Sequence, residues 1–106
     1  MKITLYTKSS QKLADKILSA VENDTIKTWE IKIDKNKSKF LTHSPEQWAD
    51  KALFGFKAES DKLYLFLTWW KDKEPTEEIK GYYVGRMTEI LLVHFSDMFD
   101  VFEIEK

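Results

Sequence analysis

The sequence predicts a single α+β domain over residues 1–106, a two-layer sandwich with helices on one face of a mixed or mainly antiparallel sheet. Three observations support it: segments that alternate apolar and polar residues, two segments with apolar residues at helical spacing, and one hairpin signal. The predicted order is strand, helix, strand, short helix, strand, strand, helix, strand. A chain of 106 residues with 42% hydrophobic residues supports one core and is too short for two.

The first third of the chain predicts two strands and a helix. Residues 2–7 alternate as a half-buried strand does, and residues 27–34, KTWEIKID, do so most clearly. Between them, residues 11–22 carry apolar side chains at helical spacing, after serines that are suitable helix caps. The basic segment KNKSK is expected to be a solvated loop.

The middle of the chain predicts a short helix and a hairpin. Ser44 is expected to cap a helix over residues 45–51, because proline and glutamine follow it at the first helical and capping-box positions. Residues 53–59 and 62–70 read as two strands joined at ESDK. The second strand is apolar on both faces, which is typical of a central strand or of a face that a partner covers.

The last third predicts a loop, a helix and a closing strand. The charged segment KDKEPTEEIK, residues 71–80, lacks apolar periodicity and is expected to be a mobile loop. GYYVGRMTEILLVHF, residues 81–95, is the predicted helix, with Gly81 and Gly85 allowing a tight start or a close backbone approach. DVFEIEK alternates as a strand does.

Polar residues on the last helix raise the question of catalysis. Arg86, Glu89 and His94 are an anion-binding group, a carboxylate and a proton carrier, the residue types that acid/base chemistry uses. Glu89 and His94 are about 140° apart around the helix, however, and do not converge. The alternative is a surface pair of Arg86 with Glu89 and a histidine at the edge of the core. His43 is the second histidine of the catalytic alternative.

Composition limits the classes of partner and cofactor. Seventeen basic and eighteen acidic residues give a net charge of −1, which makes nucleic acid an unlikely partner; KNKSK is the one visible start of a basic patch. The chain has no cysteine and two histidines without ligand spacing, so no metal or cofactor is expected. With no signal peptide and no apolar run of about 20 residues, we expect a cytoplasmic protein that does not enter a membrane.

Aromatic and acidic residues between the hairpin and the last helix form the candidate binding surface. Trp69 and Trp70 point to opposite faces if the strand continues, so that one belongs to the core and the other is available to a partner. Glu74, Glu77 and Glu78 then form an acidic rim beside these indoles, suited to a basic partner.

The last helix also carries a resemblance. Its pattern is Tyr83-x-x-Arg86-x-x-Glu89-x-Leu91-Leu92-x-His94-Phe95, with Gly85 before the arginine and Trp48 upstream. In this pattern, which covers about a third of the sequence, the chain resembles a group of small bacterial proteins of unassigned activity. It is also similar to the immunity proteins of contact-dependent growth inhibition systems, which neutralise a cognate toxin domain by binding it. Those proteins share a role more than a motif, so the resemblance assigns no residue.

The favoured hypothesis is a protein-binding module, an immunity or inhibitor protein that occludes a basic toxin domain. Its expected surface is the loop over residues 71–80 with Trp69 or Trp70, together with Arg86 and Glu89 on the polar edge of the last helix. One alternative is a small enzyme that uses His94 or His43. The other is a nucleic-acid-binding regulator.

Overall fold

A computed structural model describes residues 1–44 and 49–106. In these ranges the order of elements is β1 (Lys2–Tyr6), α1 (Ser10–Glu22), β2 (Trp29–Ile33), β3 (Lys39–His43), β4 (Leu53–Ala58), β5 (Lys62–Thr68), α2 (Glu77–His94) and β6 (Val101–Glu105). A 3-10 turn over Ser96–Met98 joins α2 to β6. The α+β class predicted from the sequence is confirmed.

All the strands belong to one antiparallel sheet, in the order β2-β3-β4-β5-β1-β6. Ile3 on β1 lies opposite Leu65 on β5 and Ile104 on β6, which fixes the register of the central strands. The crossover through α1 joins β1 to β2, but three strands separate them, so the unit forms no parallel pair. β5 is a central strand, as its two apolar faces predict.

The core lies between the two helices and one face of the sheet, here called the covered face. Alternate strand residues supply one side of it, and α1 and α2 supply the other. Met87, Leu91 and Phe95, four residues apart along the last helix, are buried there. The large, fully buried side chains include Tyr83, Phe54, Ile3, Leu5, Leu13, Ile17, Leu41, Leu63, Leu65, Met87 and Leu91.

Helix α1 begins and ends close to its predicted limits. Ser9 takes the N-cap position without a side-chain hydrogen bond, while the Ser10 hydroxyl donates to the carbonyl of Glu59 in the β4–β5 turn. The helix is therefore tied to the hairpin at its first turn. Asn23 caps the other end, and Asp24 adopts a left-handed φ of 59°, which ends the helix.

Helix α2 begins four residues earlier than predicted. The Thr76 hydroxyl accepts a hydrogen bond from the amide of Ile79. Two glutamates occupy the first turn, where their negative charges interact favourably with the helix dipole. Residues 77–80, predicted as loop, are thus helical. Gly81 and Gly85 lie inside the helix, where an added Cβ would meet nothing within 4 Å. The prediction of a tight start or a close approach at these glycines is wrong.

Strand β3 is absent from the sequence-based prediction. The loop predicted over KNKSK ends at Ser38, because the Asp34 carboxylate accepts from the amides of Asn36 and Ser38 and closes a tight turn into Lys39. The short helix predicted over residues 45–51, anchored by Trp48, falls mostly on 45–48, outside the described residues; residues 49–51 are not helical.

Candidate binding surface

The second face of the sheet, here called the uncovered face, has no helix over it in the ranges 1–44 and 49–106. It carries the other set of alternating residues, which includes Tyr6 from β1, Tyr64 and Phe66 from β5, and Phe40 from β3. Lysines lie among these rings: the Lys2 ammonium is 4.6 Å from the centre of the Tyr64 ring. The uncovered face is therefore rich in aromatic and basic side chains.

Gly55 on β4 allows two of these aromatic rings to lie against the sheet. A Cβ at this position would stand 2.5 Å from carbons of the Phe66 ring and 3.0 Å from the Phe40 ring. The two rings thus occupy the space that a side chain on β4 would need. Because Phe66 remains 36% exposed, the pair forms an aromatic floor that solvent or a partner can reach.

Two adjoining cavities lie beside this floor. The first, of about 330 Å³, contains Phe40 and Phe66 and is called here the Phe66 groove. The second, of about 980 Å³, lies between the loop after β5 and the start of α2 and is called the Trp70 cleft. Trp70 and Lys32 line both, so the two cavities adjoin at these side chains and are together called the depression.

Trp70 lines both cavities of this depression, whereas Trp69 lines the Phe66 groove but not the Trp70 cleft. β5 ends at Thr68, so both tryptophans follow the strand. Trp70 is 38% exposed, and its carbonyl accepts from the amide of Lys73 in the turn where Asp72 has a left-handed φ of 60°. Trp69 lies under the Lys80 ammonium, 4.7 Å from the ring centre. Trp70 is the indole available to a partner.

The predicted acidic rim is partly used inside the protein. The Lys80 ammonium is 2.7 Å from a Glu74 carboxylate oxygen and 3.0 Å from one of Glu77, and the lysine is only 8% exposed. Hydrogen bonds to Glu74 and Glu77 raise the pKa of Lys80, and Lys80 lowers the pKa of Glu77. Glu78 is exposed and joins no ion pair among the described residues.

The Trp70 cleft carries a surplus of positive charge that the sequence reasoning missed. Lys32 bonds to Glu30 at 3.4 Å and to Asp50 at 3.5 Å, and these two acids, Asp50 first, raise its pKa. The remaining lining lysines are Lys51, Lys71 and Lys73. All three are exposed and, within residues 1–44 and 49–106, form no ion pair.

Asp72 is the acidic lining residue that likewise has no ion pair in the described parts of the chain, since Glu74 binds Lys80. Three lysines against one aspartate leave the cleft cationic. KDKEPTEEIK displays two of these lysines, but Lys51 comes from another segment, which no local pattern could have brought to the same place.

Arg86 and Glu89 form the surface pair that the helical spacing predicts. Their charged groups are 3.7 Å apart and both side chains are more than half exposed. Neither residue lines the Trp70 cleft or the Phe66 groove. The structure therefore separates this pair from the tryptophans with which it was grouped.

The two histidines lie in different environments. His43 is 5% exposed; its ring meets Trp29 edge-on at 4.9 Å and lies 5.9 Å from Tyr83, between centroids. Its Nδ1 atom has no hydrogen-bond partner in the described residues. Burial, and then the charge of Arg86, lowers the pKa of His43.

His94 is exposed at the last residue of α2, eleven residues beyond Tyr83, or about 16 Å along the helix axis. The prediction that it lies at the edge of the core is wrong, because His94 is on the solvent side of the last turn of α2, while Leu91 and Phe95 on either side of it are buried. The structure does not bring His94 to His43, which meets the first half of α2.

Residues 1–44 and 49–106 contain no group of three or more histidine, aspartate or glutamate side chains positioned to hold a metal ion. Neither helix there has the length and apolar character that crossing a membrane requires.

Comparison with known proteins yields no matching family model, no similar curated protein and no similar solved structure.

Proposed function

We propose that this protein is a small protein-binding module, an immunity or inhibitor protein that neutralises a bacterial toxin domain by occluding it. The observation that carries the proposal is the aromatic floor of Phe40 and Phe66 over Gly55 on the uncovered face, which adjoins Trp70 after the end of β5. Exposed aromatic side chains held against a rigid sheet are the groups that contribute most energy at protein interfaces.

Trp70 is the central anchor in this proposal. It stands where the Phe66 groove meets the Trp70 cleft, so a partner that fills both cavities must contact the indole. Aromatic anchors in concave sites lose water completely on binding, which is why their truncation costs more than that of rim residues. Occlusion needs no chemistry from the inhibitor, only a surface that covers the toxin's own site.

Glu78 is the position through which a basic toxin domain would be steered. It is exposed at the start of α2 beside the cleft, whereas Glu74 and Glu77 hold Lys80 over Trp69. Charge reversal at Glu74 or Glu77 would disturb Trp69 as well as the surface potential. Glu78→Lys is therefore the clean test of steering, and we expect it to slow association with a basic partner at low salt. The proposed role also places the protein in the cytoplasm of the cell that it protects.

The test is binding to the product of the gene immediately upstream, which on this proposal encodes the toxin domain. The two purified proteins are mixed and titrated by calorimetry, and the toxin's activity is measured with and without this protein. Trp70→Ala and Phe66→Ala should each weaken binding by about 2 kcal/mol, or roughly 30-fold. Leu92→Ala, which truncates a half-exposed apolar side chain on α2, is the matched control and should bind normally.

The proposal fails if the neighbouring product neither binds nor loses activity. The proposed position of the binding surface is wrong if the partner binds tightly but Trp70→Ala and Phe66→Ala bind it as the unaltered protein does.

A further inference from the structure

The Trp70 cleft joins an apolar anchor to unneutralised positive charge. Lys51, Lys71 and Lys73 lie around it without ion pairs in the described residues, and Trp70 forms part of the same lining. Lysine ammonium groups in such a position contribute little to folding and remain available to an anion. Their charge surplus is local, because the chain as a whole has a net charge of −1.

We propose that the Trp70 cleft takes an acidic segment of the protein partner, with an apolar side chain packed on Trp70 and carboxylates paired with Lys51, Lys71 and Lys73. This inference rests on the proposed function, since it names the chemistry of the segment that the inhibitor holds. Charge complementarity selects this occupant over a basic or neutral one.

The shape of the depression supports a segment longer than one residue. The cleft of about 980 Å³ adjoins the Phe66 groove at Trp70, so a chain that binds at the lysines has an apolar floor next to it. Lys32, at the junction, is already paired with Glu30 and Asp50 and does not compete for the carboxylates. The segment is thus acidic at one end and apolar at the other.

Glu78 lies outside the cleft and adds a negative charge to a surface whose cleft is positively charged. A partner that presents an acidic segment to the lysines and a basic surface to Glu78 satisfies both charges in one orientation, and the reverse orientation places like charges together. Such bipolar complementarity fixes register and excludes wrong partners.

The test uses three blocked pentapeptides with a central leucine flanked by four glutamates, four lysines or four glutamines. Binding is followed by the indole N–H resonance of Trp70, which is identified by its loss in Trp70→Phe. We expect the glutamate peptide to shift this resonance saturably at low salt and to bind about tenfold more tightly than the glutamine peptide. The lysine peptide should leave the resonance unchanged.

Lys71→Glu/Lys73→Glu should abolish the shift, whereas Lys12→Glu/Lys16→Glu should retain it. The control makes the same change in net charge at exposed residues of α1. Equal responses to the three peptides, or loss of the shift in the control, overturn the inference.

A short single-stranded oligothymidylate is the fourth probe. Tighter binding of the oligonucleotide than of the glutamate peptide at the same resonance, with a steep dependence on salt, would assign the cleft to nucleic acid and overturn the proposal of a protein segment.

The two proposals fail in different measurements. If the toxin-like partner binds in a Trp70-dependent manner but Lys71→Glu/Lys73→Glu binds it normally, only the acidic segment is excluded. If that partner does not bind at all, the proposed function fails, whatever the peptides show.

Discussion

The covered and uncovered faces of the sheet are formed by the same strands but carry different kinds of side chain. On β5, Leu63 and Leu65 enter the core and are fully buried, while Tyr64 and Phe66 between and after them remain partly exposed. The covered face is mainly aliphatic and lies under two helices. The uncovered face combines aromatic rings, lysines and one glycine that makes room for two of the rings.

The difference separates residues that specify the fold from residues that are free to serve binding. Aliphatic side chains on the covered face gain their free energy from burial between layers, so their identity is set by packing. A sheet in water needs no aromatic floor on its solvent side, and polar residues would serve there. The aromatic residues of the uncovered face are the ones whose presence folding does not explain.

The largest expected loss of stability follows from a substitution at Leu65 on β5, and its neighbour Tyr64 provides the comparison. Leu65→Ala removes a fully buried side chain and should lower the free energy of unfolding by about 2–5 kcal/mol, because it leaves a cavity in the core. Tyr64→Ala removes a partly exposed ring that contacts Lys2 and Lys62, and should cost about 1 kcal/mol. Urea unfolding of both variants measures the two values. Similar losses in the two variants would remove the distinction between the faces.

His43 gives the covered face a dependence on pH. Its pKa is lowered in the folded protein by burial and then by Arg86, below the value of about 6.5 in an unfolded chain. The unfolded state therefore binds the proton more readily, so stability is constant above about pH 6.5 and falls as the pH drops towards the folded pKa. The slope can reach at most about 1.4 kcal/mol per pH unit.

The matched variants for this prediction are His43→Phe and His94→Gln. Phenylalanine keeps an aromatic ring between Trp29 and Tyr83 and cannot be protonated, so urea midpoints between about pH 7.5 and about pH 5 should fall less than in the unaltered protein. His94→Gln changes an exposed residue and should follow the unaltered protein. The same pair examines the catalytic alternative, which requires loss of activity in a folded variant.

Much of the fold could be predicted because it depends on local periodicity. α1 buries one apolar stripe and β5 one alternate set of residues, and β1, β2 and β6 show the same alternation of apolar and polar residues in their sequences. β3 could not be found this way: its sequence is KFLTH, and His43 is buried against Trp29 on the neighbouring strand and Tyr83 on α2, which local sequence does not show. The start of α2 did have a signal, since Thr76 precedes two glutamates as an N-cap does.

The candidate site was predictable only in part, for a similar reason. Trp70 and the loop after β5 could be selected as exposed aromatic and charged residues. Pairing between Lys80 and Glu74 or Glu77, and the approach of Lys51 to the cleft, depend on where α2 and the segment before β4 come to lie. Non-local contacts decided which charges were neutralised, and so reversed the sign expected for the cleft.

The solvent-exposed side of α2 carries two glycines. Gly81 and Gly85 are exposed in the interior of α2, and an added Cβ meets nothing within 4 Å. Gly81→Ala and Gly85→Ala should each raise the free energy of unfolding by about 1 kcal/mol, because alanine favours the helix and restricts the unfolded chain. Thermal and urea unfolding measure the gain. A loss of stability in either variant would show that the glycine is needed for a contact, and partner binding should not change in either.

The smallest effect on stability is expected at Gly55. A substitution there should alter the uncovered face and leave the packing of the covered face almost unchanged. Gly55→Ala forces the Phe66 ring away from β4, but the ring is the free end of a side chain and can move, so the cost should be about 1 kcal/mol or less. Binding of the partner should nevertheless fall, because the aromatic floor is displaced. A stable Gly55→Ala variant that binds normally would show that the floor is not part of the interface.

The double variant Gly55→Ala/Phe66→Ala completes a double-mutant cycle with the two single variants. Once the Phe66 ring is absent, the added methyl group meets the Phe40 ring alone, at 3.0 Å, so the alanine at position 55 should cost little further stability and little further affinity. Unfolding and partner titration on the four proteins yield the coupling between the two positions. Additive losses would mean that Gly55 acts through the backbone of β4. A coupled loss would assign its role to the surface that Phe66 forms above it.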